Sequence, residues 1–154
     1  VTGLSASAFS DAYLARYAAQ WTWLAGARAA FLAAAEALPV GILTNGFSEQ
    51  QRAKLARFPE IEARASVVVI SDEVGVMKPH RALFDHALAE ARKTDARLGA
   101  ADVLLVGDSL TSDVRGALGA GWRAVWIGGT ETRAPEGTSV FGSVAEWSEG
   151  TGYR

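Results

Sequence analysis

Two aspartates lie five residues apart at the end of a short apolar run, in the stretch VLLVGDSLTSDV. Asp108 directly follows the apolar run, and a carboxylate at that point must find a partner at the buried edge of a core. It is well placed to bind a hard divalent cation such as Mg²⁺, which takes oxygen ligands and usually keeps several waters. Asp113 either joins it, orders a metal-bound water, or only caps a helix.

Two other stretches carry groups suited to a phosphate. ILTNG ends an apolar run in Thr44, Asn45 and Gly46, whose hydroxyl and backbone N–H groups can hold phosphate oxygens at a helix start. The alternative is a plain turn, since Asn-Gly is a common turn dipeptide. GVMKPH places Lys78 in a loop before Pro79 and a helix. Its ammonium could neutralise carboxylates and phosphate, or it could be an ordinary solvated lysine.

The elements that must position these groups alternate between apolar runs and amphipathic stretches, which predict strands and helices. Strands that are apolar throughout indicate an α/β fold, a three-layer parallel sheet with helices on both faces. In such a sheet, ligands bind at the carboxyl ends of the strands. The predicted strands are 40–45, 66–71, 103–107 and 123–129; the predicted helices are 9–21 with Ser10 as N-cap, 26–38, 48–58 with Ser48 as N-cap, 80–93 and 112–121; a short strand and helix follow in the tail.

Composition narrows the class of protein. The chain of 154 residues, 49% of them hydrophobic and 21% charged, suits one globular domain. A net charge of −2 argues against a nucleic-acid or anionic-membrane partner, because both need a basic face. The absence of cysteine excludes disulfides and thiolate chemistry and is compatible with the cytoplasm, where we expect the protein.

The order ILTNG, then KP before a helix, then VGDSLTSD before GALGAGW resembles the haloacid dehalogenase-like (HAD) hydrolase superfamily. ISDEVGVMKPHRALFDHALAEA looks like its phosphatase and nucleotidase subgroup. The resemblance implies a Rossmann-like core over residues 26–154. It also implies that residues 1–25 are the last part of a helical cap, the element that selects substrate in this family.

The same resemblance implies roles for the site residues. Thr44 and Lys78 would act on the transferring phosphoryl group, with Asn45 and Gly46 completing the phosphate site. Asp108 and Asp113 would be the magnesium acids, and the substrate a small phosphorylated metabolite such as a nucleotide or sugar phosphate. The acid pair favours hydrolysis of a phosphate ester over metal-free dehalogenation, because a charged phosphoryl group needs the cation.

One family motif has no match. The family's first strand ends in Asp-x-Asp, and its first aspartate attacks phosphorus. The acids ahead of Thr44 are Asp11 and Glu36, each inside a helical pattern. Asp72 comes in the wrong order; it is a loop residue either on the phosphate side or facing solvent, and we expect the second. We therefore expect the 154-residue chain to lack the central strand and most of the cap, to be inactive alone, and to be part of a longer polypeptide.

A missing central strand has structural consequences. It would leave two apolar strand edges that either pair directly or accept a strand from elsewhere, which favours homodimers or strand exchange. A non-catalytic module that binds phosphate and Mg²⁺ is the main alternative function. A receiver-like phosphoacceptor domain also places aspartates, a threonine and a lysine at such an edge, but there the lysine comes last, whereas Lys78 precedes the acids.

Overall fold

The computed structural model describes residues 5–129 and 131–150. Its elements follow the predicted alternation of helices and strands and form an α/β fold. None of the helices in these two ranges is long and apolar enough to cross a membrane. The helices are α1 Ala6–Ala19, α2 Ala27–Ala37, α3 Ser48–Leu55, α4 Pro59–Arg64, α5 Ser71–Val74, α6 Arg81–Ala91, α7 Gly116–Gly119 and α8 Val144–Gly150; the strands are β1 Val40–Thr44, β2 Ala65–Ile70, β3 Leu104–Gly107, β4 Arg123–Ile127 and β5 Thr138–Phe141.

The strands form two parallel sheets. In one, β1 pairs with β2; in the other, β4 lies between β3 and β5. The two sheets share a core, because Val69 of β2 and Ala124 of β4 belong to one buried cluster, against which Leu43 of β1 and Leu105 of β3 also pack. The helices on this face, α6 and α7, contribute Leu83, Phe84, Ala87, Leu88 and Ala117 to that cluster.

The first strand of each sheet, β1 or β3, pairs with another described strand along one edge only. β1 and β3 do not pair with each other, so among the described residues each has one edge without a strand partner. Neither strand contains a buried residue, and Leu104 of β3 is 40% exposed, whereas β2 and β4 are buried at Ile70 and Val125. We call the separation between the two strands the β1–β3 gap. Direct pairing of the two edges, one of the two expected solutions, does not occur.

The structure corrects three local predictions. α1 begins before Ser10, because the side chain of Ser5 caps it by accepting from the Ala8 N–H at 3.2 Å. Ser48 is the first residue of α3 rather than its N-cap. The predicted helix 112–121 is instead a wide π-helical turn, Leu110–Arg115, followed by the short α7.

The wide turn has a local cause. The Ser109 carbonyl accepts from both the Asp113 N–H, at 2.9 Å, and the Val114 N–H, at 3.1 Å. The Ser109 hydroxyl accepts from the Ser112 N–H at 3.1 Å, which satisfies another N–H at the start of the turn. The segment therefore opens by one residue relative to an α-helix and turns Asp113 inward.

Candidate active site at the carboxyl ends of β1 and β3

A buried ion pair lies between the ends of the two sheets. The Lys78 ammonium donates to Asp113 Oδ1 at 2.7 Å and to the Leu43 carbonyl of β1 at 2.8 Å. The two charged side chains are only 12% and 8% exposed. Lys78 is therefore not the ordinary solvated lysine of the alternative reading, and its ammonium connects β1 to the turn that follows β3.

Asp113 is held on both sides. Its Oδ2 accepts from the Ser109 N–H at 3.0 Å, while Oδ1 faces Lys78. Gly107 makes room for it, since a Cβ at that position would lie 2.5 Å from the Asp113 Cβ. The Asp113 carboxylate thus accepts hydrogen bonds both from Lys78 and from the main chain of its own turn.

Asp108 differs from Asp113 in its exposure. Its side chain is exposed at the end of β3, and its backbone carbonyl accepts from the Trp126 Nε1–H at 3.0 Å. This bond fixes the main chain of the loop on the neighbouring strand β4 while the carboxylate faces solvent. The two aspartates of GDSLTSD therefore sit on one loop with one carboxylate buried and one accessible.

The TNG turn uses its polar groups internally. The Asn45 amide bonds to both the N–H and the carbonyl of Lys78, and the Gly46 N–H donates to the Ser71 hydroxyl at 3.0 Å. Thr44 Oγ1 lies 3.3 Å from Gln51 Oε1 and 3.4 Å from its neighbour's carbonyl. The structure thus brings the turn and Lys78 together, but the Gly46 N–H, expected at a phosphate, already has a partner.

Ser71 and Asp72 are partners that the sequence reasoning did not assign. Ser71 is buried, at 4% exposure, and holds the Gly46 N–H. Asp72 is exposed, as expected, and its Oδ2 accepts from the Ser48 N–H at 2.9 Å. A carboxylate from another segment therefore occupies the start of α3, where an acid is electrostatically favoured. These contacts join the segments that follow β1 and β2, so they depend on the pairing of those two strands.

Glu73 of α5 also contacts α3, at the surface of the protein. Arg52 of α3 donates to both of its carboxylate oxygens, at 2.8 and 2.7 Å, and the Ser48 hydroxyl donates to Oε1. The hydrogen bonds from Arg52 and then from Ser48 hold the pKa of Glu73 below its ordinary value of 4.5. Because the folded pKa is depressed, this carboxylate stabilises the fold above its ordinary pKa, and the contribution is lost as pH falls through the folded pKa.

We expect the Arg52→Met variant to raise the pKa of Glu73 towards its ordinary value, because the main cause of the depression is removed. A pH titration of the side-chain carboxyl signals by ¹³C NMR measures this directly. The Arg81→Met variant is the control, since Arg81 pairs with Asp85 on α6 instead. An unchanged Glu73 pKa in Arg52→Met would contradict the expectation.

The donor set at this edge fits Mg²⁺ in kind. Asp108 and Asp113 offer carboxylate oxygens, and Mg²⁺ is usually bound by one or two carboxylates together with waters and substrate phosphates. Within residues 5–129 and 131–150, no cluster of three or more acidic or histidine side chains is available as a complete cage. Any Mg²⁺ at the two aspartates would therefore keep coordination positions for water and phosphate.

A parallel α/β fold with a lysine and two aspartates near the carboxyl ends of β1 and β3 has a polar site at the edge where such folds bind ligands. The family model for haloacid dehalogenase-like hydrolases matches residues 3–121. The chain belongs to this hydrolase family.

Two curated relatives are phosphatases in the broad sense. Pyrimidine 5'-nucleotidase YjjG of Escherichia coli is 37% identical over 110 residues, covering 71% of this chain and 47% of the relative. The phosphoserine phosphatase of Thermus thermophilus is 42% identical over 102 residues, covering 64% of this chain and 38% of the relative. The chain thus spans less than half of the length of these relatives.

A solved structure supports the fold. The HAD hydrolase YfnB of Bacillus subtilis, in a magnesium-bound crystal form, superposes with a TM-score of 0.75 over 96% of this chain and 64% of its own. The sequence identity is 20%, so this likeness bears on the fold alone. It confirms the Rossmann-like architecture.

Proposed function

We propose that this chain supplies the phosphate- and magnesium-binding part of a phosphatase site that hydrolyses a small phosphate monoester through an aspartyl-phosphate. The observation that carries the proposal is the buried Lys78–Asp113 pair between the ends of β1 and β3. A structural ion pair gains little from such burial, because desolvation offsets most of the Coulomb energy. A lysine and a carboxylate that contact each other at the carboxyl ends of parallel strands, where ligands bind in such folds, are better explained by a task in the site.

The proposed roles of the residues are those that the family resemblance implies. Thr44 and Lys78 bind phosphoryl oxygens, and the Lys78 ammonium neutralises charge on the transferring group. Asp108 and Asp113 are the ligands for Mg²⁺, which when bound would stabilise the charge that develops during phosphoryl transfer. Asp108 is exposed and ready to bind, whereas Asp113 shares its carboxylate between Lys78 and the Ser109 N–H.

The nucleophile is proposed to lie outside this chain. The acids ahead of Thr44 are Asp11 and Glu36, which lie within α1 and α2 and not at the end of a strand. Among the described residues, β1 and β3 each have one edge without a strand partner, and we propose that one extended segment pairs with both edges at the β1–β3 gap. A strand ending in Asp-x-Asp there would bring its carboxylates to the edge where Lys78 lies.

The N-terminal helix is proposed to be part of the cap. Phe9, Tyr13 and Tyr17 recur at helical spacing along α1 and are 65%, 60% and 43% exposed. An exposed aromatic row of this kind is typical of a face that packs against something else. Within this proposal the rest of the cap covers it, and the protein works in the cytoplasm on a phosphorylated metabolite.

We expect a chain that carries an Asp-x-Asp strand ahead of Val1 to release phosphate from monoesters such as nucleotides and sugar phosphates, with a requirement for Mg²⁺. The 154-residue chain should release none, because it lacks the attacking carboxylate. Inorganic phosphate release over a substrate panel measures both, and removal of the metal by a chelator should abolish the activity. An inactive extended chain would overturn the proposal, and turnover by the 154-residue chain would overturn the assignment of the nucleophile.

A non-catalytic phosphate- and magnesium-binding module is the second candidate. Within the described residues, the elements ahead of β1 are the helices α1 and α2 and no strand precedes it, which favours this interpretation of the chain by itself. Calorimetric binding of inorganic phosphate in the presence of Mg²⁺, combined with inactivity of the extended chain, would favour the module over the enzyme.

A further inference from the structure

Asn45 has both functional groups of its side chain committed to one residue far away in sequence. Its Oδ1 accepts from the Lys78 N–H at 2.8 Å, and its Nδ2 donates to the Lys78 carbonyl at 3.0 Å. Together the two bonds fix the main chain on both sides of the Lys78 Cα. The side chain of Asn45 thus holds the main chain of Lys78 at the end of β1, across 33 residues of sequence.

The other end of Lys78 is held by the same part of β1. The ammonium donates to the carbonyl of Leu43, two residues before Asn45, and to Asp113. Lys78 is therefore fixed at its main chain by Asn45 and at its Nζ by Leu43 and Asp113. The loop before it has one contact with the core, since Val76 packs against the buried cluster, whereas its neighbour Met77 is 62% exposed.

We propose that Asn45 is a positioning residue, which sets the place of the Lys78 ammonium through the lysine main chain and does not contact the phosphate through its amide. The part that concerns phosphate rests on the proposed function. Asn45 then belongs with the residues that shape the site, and the phosphate-binding role implied by the family resemblance passes to its neighbour Thr44 and to Lys78. Each functional group of the amide makes one hydrogen bond to the Lys78 main chain, and the two bonds together fix the orientation of the amide towards the lysine.

The accessibility of the Lys78 ammonium can be measured directly by chemical labelling, because the chain has only three lysines, Lys54, Lys78 and Lys93. Lys78 is 12% exposed and Lys93 70% exposed, so an acylating reagent at low conversion should modify Lys93 first. In the Asn45→Ala variant both clamping bonds are lost, and we expect the acetylation rate of Lys78 relative to Lys93 to rise about tenfold, as read by mass spectrometry. A rate that stays within about twofold of the wild type would overturn the proposal.

Two further variants keep the result interpretable. Asn45→Asp keeps the acceptor for the Lys78 N–H and loses the donor, so its Lys78 rate should fall between wild type and Asn45→Ala. Gln51→Ala is the matched control, because this amide contacts the Thr44 hydroxyl and not Lys78; its Lys78 rate should equal that of the wild type. If the acetylation rates of Lys54 and Lys93 also rise in Asn45→Ala, that variant has unfolded in general. The Asn45→Asp variant then decides the question, because a Lys78 acetylation rate equal to that of the wild type overturns the proposal.

A second measurement separates this proposal from the proposed function. Titration of inorganic phosphate with Mg²⁺ should show weaker binding in Asn45→Ala, in step with the increase in Lys78 labelling. If the wild type binds no phosphate, the proposed function fails, and the labelling series still decides whether Asn45 positions Lys78. If Asn45→Ala loses phosphate binding while its Lys78 labelling stays at the wild-type rate, the amide contacts phosphate directly and the positioning role is overturned.

Discussion

Replacing Asp113 by asparagine is expected to lower the free energy of unfolding by about 3–5 kcal/mol, because the Lys78 ammonium would remain buried without its counter-charge. Both side chains are nearly buried, at 12% and 8% exposure, so solvent cannot screen the loss. For a domain of ordinary stability, about 5–15 kcal/mol, this is a large share of the total. Urea denaturation of the variant and the wild type measures the difference.

The double variant Lys78→Met/Asp113→Asn provides the internal test of this cause. Removing both charges leaves no unpaired buried ion, so the double variant should recover much of the stability that Asp113→Asn loses. Asp85→Asn is the control, since its pair with Arg81 is exposed, at 69% and 53%, and should cost less than about 1 kcal/mol. If Asp113→Asn matched the wild type within about 0.5 kcal/mol, the buried pair would contribute nothing to the fold.

The strands and their polar ends could be predicted from the sequence because those signals are local. VLLVG and VGIL are apolar throughout and break off at Asp108 and Thr44, which predicts buried parallel strands with chemistry at their carboxyl ends. The structure places β1 and β3 within one residue of the predicted bounds at Thr44 and Gly107. The family resemblance then linked Lys78 to the same edge of the sheets. Its Nζ contacts the Leu43 carbonyl of β1 and the Asp113 carboxylate after β3.

The contacts that sequence reasoning missed are those between distant segments. Asn45 looks like a turn residue, yet its amide bonds to Lys78, and Gly46 donates to Ser71 rather than waiting for an anion. Nothing in the local pattern names these partners, because they depend on how β1, β2 and the loop before α6 are brought together. The cap of α3 was misplaced for the same reason, since the acceptor at its start is Asp72.

The β1–β3 gap links the sequence to the proposed function. Apolar strands predict burial, yet β1 and β3 contain no buried residue, although each pairs with a strand that does. A long apolar edge is normally paired or covered, because it otherwise invites association. The proposed strand with Asp-x-Asp would resolve both the mismatch in burial and the absence of a nucleophile at the same place.

Replacing Phe84 by alanine is expected to cost about 3–5 kcal/mol of unfolding free energy, because the ring is fully buried and its removal leaves a cavity. Phe84 packs edge-on against Trp122, with ring centroids 5.3 Å apart at 85°. It also lies against Gly116, where a Cβ would be 2.5 Å from the ring and 3.2 Å from the Pro79 Cα. The ring therefore supports both the segment after Lys78 and the helix after the Asp113 turn.

This position predicts a second effect that a remote core residue would not show. In Phe84→Ala the acetylation of Lys78 should rise relative to Lys93, since α6 loses its contact with Gly116 at the start of α7, directly after the π-helical turn that carries Asp113. Phe84→Leu keeps part of the packing and should show smaller changes in both measurements. Phe9→Ala is the exposed control, at 65% exposure, and should stay within about 0.5 kcal/mol of the wild type. A destabilised Phe84→Ala with unchanged Lys78 labelling would mean that the core supports the fold but not the site.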